Sequence, residues 1–331
     1  MVLRVAVIGA GSWGTTVAAL AAANNPTILW ARRKDVADEI VTDHTNSAYL
    51  PDAKLPTALR ATPSIEEAVG EADVVVMAVP SHGFRAVLEQ ASPHVRAWVP
   101  LVSLSKGLEQ GTGLRMTQVV NDLMPGHPAG ALTGPNLARE IMAGHPAAAV
   151  MAFADERIAV GLQPVFAAPA FRVYTNLDIV GCEIAGVVKN VMAIAAGMVE
   201  GMGFGDNTKA AVMTRGLAEL TRLGVRLGGE PATFAGLAGM GDLVATCMST
   251  QSRNHHVGVE LGKGRAITEI IDEMHMVAEG VKSSSVVAEL AATVGVEMPI
   301  AEEVRAVCHD GKAVGDALVD LLQRRAGREA D

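Results

Sequence analysis

The chain has 331 residues, with 27 Lys and Arg against 36 Asp and Glu, a formal charge of −9 and a pI near 5.5. Half of it is apolar, 19% is charged and the mean hydropathy is +0.28, which suits a large core and excludes a disordered chain. The acidic balance argues against a nucleic-acid binder, and aromatics at 3% leave few stacking platforms for single strands. A length about twice that of a typical domain of roughly 150 residues favours two domains. Cys182, Cys247 and Cys308 stand far apart without CxxC spacing. They read as reduced thiols in a cytoplasmic protein, not as a disulfide framework or a zinc site.

In chain order, Leu3–Ile8 is a buried-strand pattern, followed by a glycine-rich turn and an alanine-rich helix to about Ala23. Thr27–Ala31 is a second strand and Arg33–Thr42 a helix. The uncharged run Val5 to Ala31 has membrane-span length, but Gly9, Gly11, Gly14 and Asn24-Asn25-Pro26 break it into strand, turn, helix, turn and strand. With only Arg4 ahead of it, it makes a poor signal peptide, and no membrane span is expected. Asp73–Val79 is the clearest strand, closed by Pro80 and followed by a helical stretch, Phe84–Ala91. Further strands are expected at Val99–Ser103, Ala131–Thr133, Ala147–Phe153 and Phe171–Tyr174. Apolar strands alternating with helices imply a doubly wound, mostly parallel α/β sheet of Rossmann type over residues 1–180.

From Cys182 on, the pattern turns helical, so residues 181–331 are expected to form an all-α domain. Its helices read as Cys182–Glu200, Thr208–Leu227, Glu260–Lys263, Thr268–Ile271, Ser283–Val294, Ile300–Val307 and Ala313–Gln323, with a glycine-rich join at Phe234–Asp242. The end from Arg324 reads as a solvated tail.

Gly9-Ala10-Gly11-Ser12-Trp13-Gly14 fits G-x-G-x-x-G, with a strand before it and a helix after it. In that setting the helix N-terminus, with its free N–H groups and dipole, is a seat for a dinucleotide pyrophosphate. An NAD-selective site usually places Asp or Glu at the end of the second strand to accept from the ribose hydroxyl. Here the chain reads Trp30-Ala31-Arg32-Arg33-Lys34, and guanidinium groups suit a 2′-phosphate. The expected cofactor is therefore NADP (as NADPH), with NAD as the second choice.

Lys189 lies in a stretch otherwise apolar on every face, where a buried ammonium is costly unless paired or working. A lysine that snorkels or meets a structural carboxylate reads equally well from this feature alone. Lys106 follows a strand at the carboxyl edge of the sheet, where open α/β sheets bind ligands. Gly134-Pro135-Asn136 also follows a strand, Asp242 ends a glycine loop, and Ser252-Arg253-Asn254 groups a hydroxyl, a guanidinium and an amide. Taken singly, Asn136 and Asp242 could be helix caps. Together these groups suit a small phosphorylated or carboxylated alcohol. His255-His256 makes a poor metal site, because neighbours on a helix or strand do not face the same way, and no metal is expected.

The ordered segments GAGSWGT, VPSHGFR, SLSKGLEQGTG, GPNLARE, CEIAGVVKNV, GDNTKAAVMTRGLAEL, AGMGDLVATC, SRN and AEGVKSS resemble bacterial-type NAD(P)-dependent glycerol-3-phosphate dehydrogenase, from about residue 4 to about 320. The resemblance implies Lys189 as the proton donor and acceptor, with Lys106 and Asp242 at the reacting end and Asn190 and Thr246 as neighbours. It implies substrate contacts at Gly134, Asn136, Ser252, Arg253 and Asn254, with Arg253 as phosphate clamp. Cofactor contacts are implied at Ser12, Trp13, Arg33, Tyr49, Ala138, Val277 and Glu279, beside Gly9, Gly11, Gly14 and Arg32, with Lys106 and Arg253 serving both ligands. Asn136 departs from the Ser or Thr of many members, but can still hydrogen-bond a ligand. A cytoplasmic homodimer making glycerol 3-phosphate for phospholipids follows from the same resemblance. The runner-up is a 3-hydroxyacid dehydrogenase of the 6-phosphogluconate dehydrogenase type. A nucleotide sensor without turnover has no need of both Lys189 and Asp242.

Overall fold

A computed structural model describes residues 2–274 and 277–325. Among those residues eight strands and seven α-helices alternate through the first part: β1 (Val5–Ile8), α1 (Ser12–Ala22), β2 (Thr27–Trp30), α2 (Lys34–Thr42), β3 (Arg60–Thr62), α3 (Ile65–Val69), β4 (Val74–Met77), α4 (Ser81–Ala91), β5 (Leu101–Ser103), α5 (Met116–Leu123), β6 (Ala129–Thr133), α6 (Ala138–Met142), β7 (Ala147–Phe153), α7 (Glu156–Phe166) and β8 (Phe171–Asn176). Only helices follow among the described residues. They are α8 (Ile179–Gly201), α9 (Asp206–Arg226), α10 (Pro231–Ala235), α11 (Asp242–Met248), α12 (Arg253–Gly262), α13 (Ile267–Glu273), α14 (Glu279–Val294), α15 (Pro299–His309) and α16 (Val314–Gln323). The tail expected from Arg324 lies, past residue 325, outside the described residues.

The chain divides into two compact units. One runs to Gly186 and regains Gly229–Asp242; the other holds Val187–Gly228 and the chain from Leu243 on. The boundary expected near residue 180 thus falls inside α8. The returning segment belongs with the first unit because Ala238 packs against Val150 and Ala152 of β7 and against Cys182.

In the first unit the strand order is β3-β2-β1-β4-β5-β6-β7-β8. Pairing is parallel except between β6 and β7. The sheet is mostly parallel, as expected, and the short α6 explains its one antiparallel step. Five helical residues cover about 7 Å, less than half the length of a strand of similar count, so they cannot carry the chain back along the sheet. Every residue of β1 is buried. Val5 and Val7 pack with Val17 and Ala21 of α1 and Phe166 of α7 on one face. Ala6 and Ile8 pack with Phe84, Leu88 and Val119 on the other. Because β1 pairs with β2 on one side and β4 on the other, successive connections leave in opposite directions, opening a crevice at its carboxyl end.

By length and hydropathy α8 could cross a membrane, but 89% of its most apolar window is buried inside the protein. In the second unit it meets α12 backbone to backbone. A Cβ on Gly197 would lie 2.1 Å from the His255 carbonyl oxygen, and one on Gly258 2.1 Å from that of Ile194. One turn on, Gly201 faces Val259 and Gly262 faces Met198 at 2.1 and 2.3 Å. Only glycine permits such an approach. Gly258→Ala is therefore expected to destabilise the protein by about 3 kcal/mol. Gly315→Ala, where a Cβ meets nothing within 4 Å, should leave the melting temperature unchanged or raise it.

Glu219 of α9 caps α15, accepting from the N–H groups of Ile300 (2.8 Å) and Ala301 (3.3 Å). Burial pushes its carboxyl up to about 7, against those two hydrogen bonds. The folded state then holds a proton that the unfolded chain has released, so stability falls as pH rises from about 4.5 to 7. Thermal unfolding across that range should show Glu219→Gln with a flatter pH dependence, the difference being on the order of 3 kcal/mol.

Candidate functional site

The glycine loop follows β1 in the first unit. Gly9 has φ +122°, and a Cβ there would strike the Ala78 carbonyl oxygen, 2.6 Å away. A Cβ on Gly14 would strike Gly9. These two glycines are filled by the protein's own packing, whereas a Cβ on Gly11 meets nothing within 4 Å. Gly11 precedes α1 in extended backbone and supplies no side-chain cap. An open glycine at an uncapped helix start fits a diphosphate, so the residues present suit the expected dinucleotide.

The neighbouring candidates divide in two. The Ser12 hydroxyl donates to the Tyr49 carbonyl at 3.0 Å, so those two are brought together. Trp13 turns toward Phe171, ring centroids 6.3 Å apart, and its indole N–H is buried without a partner. At the end of β2, Arg33 precedes α2 and is engaged by Asp35 through two hydrogen bonds. Those bonds hold the Asp35 carboxyl below its ordinary range. Arg32 is exposed and forms no ion pair among the described residues. The cation pair read from the sequence is thus one engaged and one open arginine.

Loops at the carboxyl ends of β4, β5 and β6 are tied to one another. Ser105 donates to the Val79 carbonyl at 2.6 Å, and Lys106 Nζ donates to the Gly134 carbonyl at 2.9 Å. Lys106 also donates to Asp242 at 2.6 Å, with the Asp242 side chain only 2% exposed. Asp242 is delivered by a π-helical turn, Leu237–Gly241, which stands where a loop was expected. Gly239 allows that turn, since a Cβ would lie 2.1 Å from the Phe234 carbonyl oxygen. Asp242 is the first residue of α11 and Asn136 precedes the Leu137 cap of α6, so neither is a helix cap. Both polar atoms of the Asn136 amide are buried without a partner, as is the Thr133 hydroxyl. Such groups are costly unless a ligand or water meets them. Ala138 opens α6 beside them.

In the second unit Lys189 is 6% exposed and donates to the Thr246 hydroxyl at 2.7 Å. Asn190 accepts from the Asn254 amide at 2.9 Å, and Asn254 Oδ1 accepts from the Gly280 N–H at 2.9 Å. Ser252 caps α12, its hydroxyl accepting from the His255 N–H. Ser252 and Asn254 are thus already engaged within the protein, whereas Arg253 is exposed at the helix start without an ion pair among the described residues. Glu279 opens α14 just before Gly280, with Val277 shortly ahead of it. His255 is buried at 3.4 Å from Glu200 while His256 is exposed. Burial lowers the His255 pKa and Glu200 opposes the shift.

Sequence reasoning passed over Thr133 and Gly186, which the structure sets beside Lys106. A Cβ on Gly186 would lie 3.3 Å from Lys106 Cγ and 3.5 Å from the Thr133 hydroxyl, so a glycine inside an apolar helix was the available signal.

Two family models match, described as the NAD-dependent glycerol-3-phosphate dehydrogenase N-terminus over residues 4–159 and C-terminus over residues 178–319. A glycerol-3-phosphate dehydrogenase [NAD(P)+] of Sphingopyxis alaskensis is 58% identical over all of this chain and 99% of its own length. One from Mycobacterium avium is 53% identical over 98% of this chain and 96% of its own. The crystal structure of glycerol-3-phosphate dehydrogenase from Coxiella burnetii superposes with a TM-score of 0.93 at 34% identity, covering 98% of this chain and 99% of that one.

Asp35 competes with any anion for Arg33. Asp35→Asn should raise the affinity for NADPH relative to NADH by roughly 3- to 10-fold, read from paired binding titrations.

Proposed function

The chain belongs to the NAD-dependent glycerol-3-phosphate dehydrogenase family, and on that premise we propose that it interconverts dihydroxyacetone phosphate and sn-glycerol 3-phosphate with NADPH or NADH. The observation that carries the reading is Lys189, a buried ammonium that donates to a neutral hydroxyl from a mostly apolar helix. A nicotinamide dinucleotide, held at the glycine loop by the start of α1 and near Arg32 and Arg33, would supply the hydride for reduction of the carbonyl carbon and accept it in oxidation. In reduction, Lys189 gives a proton to the carbonyl oxygen as negative charge develops there, leaving a neutral amine and an alcohol. In oxidation it takes the proton back. A placed acid or base of this kind contributes typically ~10²–10⁴-fold.

Other groups act by position and charge. Lys106 is steered by Asp242 and by the Gly134 carbonyl, which fixes its ammonium for an electron-rich substrate oxygen. The unpartnered amide of Asn136 offers both a donor and an acceptor for a substrate hydroxyl or phosphate. Arg253, at the start of α12, combines a guanidinium with a helix N-terminus, a pairing suited to a phosphate dianion. The engaged amide of Asn254 and hydroxyl of Ser252 hold that helix start in place. The first unit is the cofactor-binding part, and the second carries the proton donor and phosphate clamp.

The enzyme is further read as a cytoplasmic homodimer that supplies the phosphorylated glycerol backbone of phospholipids. Three free cysteines, all buried, suit a reducing compartment. Burial also pushes the Cys308 thiol up to about 12 and Cys182 higher still, so both are poor nucleophiles.

Purified protein should oxidise NADPH or NADH with dihydroxyacetone phosphate, followed by nicotinamide absorbance. Turnover of 3-hydroxyacids but not of this substrate would overturn the reading. Lys189→Ala should lower kcat by ~10²-fold or more while cofactor affinity changes by less than about twofold.

A further inference from the structure

We propose that Asn46, on the loop between α2 and β3, is a positioning residue that sets the glycine loop for the dinucleotide diphosphate. The inference rests on the cofactor reading above. Asn46 is fully buried, and its Nδ2 donates to the Ala10 carbonyl and the Thr15 hydroxyl, each at 2.9 Å. The Ala10 carbonyl can only accept, which fixes the orientation of the amide.

The consequence follows from the planarity of the peptide. Ala10 O and Gly11 N–H belong to one trans peptide unit and point in opposite directions. That unit is flanked by Ala10, whose side chain is only a methyl, and by Gly11 with open space around it, so little else in the local backbone resists a flip through ψ of Ala10 and φ of Gly11. A flip would turn a carbonyl toward the diphosphate in place of an N–H. By holding Ala10 O, Asn46 keeps Gly11 N–H on the opposite side, at the start of α1.

Asn46 is itself held firmly. Its own carbonyl accepts from the N–H groups of Tyr49 (3.1 Å) and Leu50 (2.7 Å), and the Tyr49 carbonyl accepts from Ser12. On either side, Glu39 of α2 accepts from the Thr45 hydroxyl at 2.8 Å and from the Ser47 N–H at 2.7 Å. The helix that begins beside Arg33 therefore also anchors the loop that steers the diphosphate seat. These contacts join the two ends of the expected adenosine diphosphate site through side chains of one unit.

The test is calorimetric titration of the full chain and its variants with NADPH and with NADH. Asn46→Ala frees the peptide and should weaken both by about tenfold. Asn46→Asp places a carboxylate that repels Ala10 O and accepts from Gly11 N–H, favouring the flip. It should weaken both by about 100-fold, with cofactor KM rising more than kcat falls. Equal factors for the two cofactors are required, since the diphosphate is common to both. Wild-type affinity in both variants, an Asp variant no weaker than Ala, or a loss confined to NADPH would each overturn the proposal. If the Asn46 variants do not fold, Thr15→Val carries the test: about threefold weaker binding of both cofactors supports it and unchanged binding overturns it. Failure of the wild type to bind either cofactor would instead remove the cofactor reading, and this inference with it.

Discussion

The second unit depends on the contact between α8 and α12, where four glycines let two backbones meet without side chains between them. Contact of this kind leaves almost no freedom to slide or rotate, because peptide groups do not compress and have no rotamers to change. Lys189 on α8 and Arg253 on α12 are thereby held at a set separation by the frame itself. The amide chain from Asn190 through Asn254 to Gly280 adds α14 to that frame. Gly280 permits this too, since a Cβ there would lie 2.5 Å from the Asn190 carbonyl oxygen. A reaction that must protonate one atom of a small molecule while gripping its phosphate some distance away gains from such rigidity.

The first unit solves a different problem by different means. Its candidate ligand groups lie on loops, which must be tied down individually. Ser105 links the ends of β4 and β5, Lys106 links β5 to β6 and to Asp242, and Asn46 links the glycine loop to a long surface loop. Apart from the ion pair to Asp242, each tie uses a side chain to satisfy a backbone carbonyl, so position and hydrogen-bond satisfaction come from the same contact. Where the ties stop, polar atoms stay unmatched, as at Asn136 and Thr133.

Much of this was legible in the sequence, for reasons that can be named. β1, β2 and β4 are apolar and β-branched with breakers at their ends, and Lys189 is the one basic residue in a mostly apolar helix. β3 escaped notice because three residues, one of them an exposed arginine, make no pattern. The return of Gly229–Asp242 to the first unit depends on Ala238 packing against β7, a long-range contact that no local spacing encodes. Asp35 was invisible as a partner because a charge two residues from Arg33 reads as an ordinary helix start. Asn46 looked like any amide in a polar loop, since its value lies in a carbonyl far away in the chain.

The π-helical turn at Leu237–Gly241 bears on how this family can change over time. Its closing hydrogen bond, Gly241 N–H to the Gly236 carbonyl, spans one residue more than an α-helical turn does. Loss of that residue would let the segment wind as ordinary helix and swing Asp242 by roughly 100° about the axis, away from Lys106. Within this stretch, then, side chains can be exchanged far more freely than residues can be gained or lost. Length, more than composition, is what natural variation should leave alone.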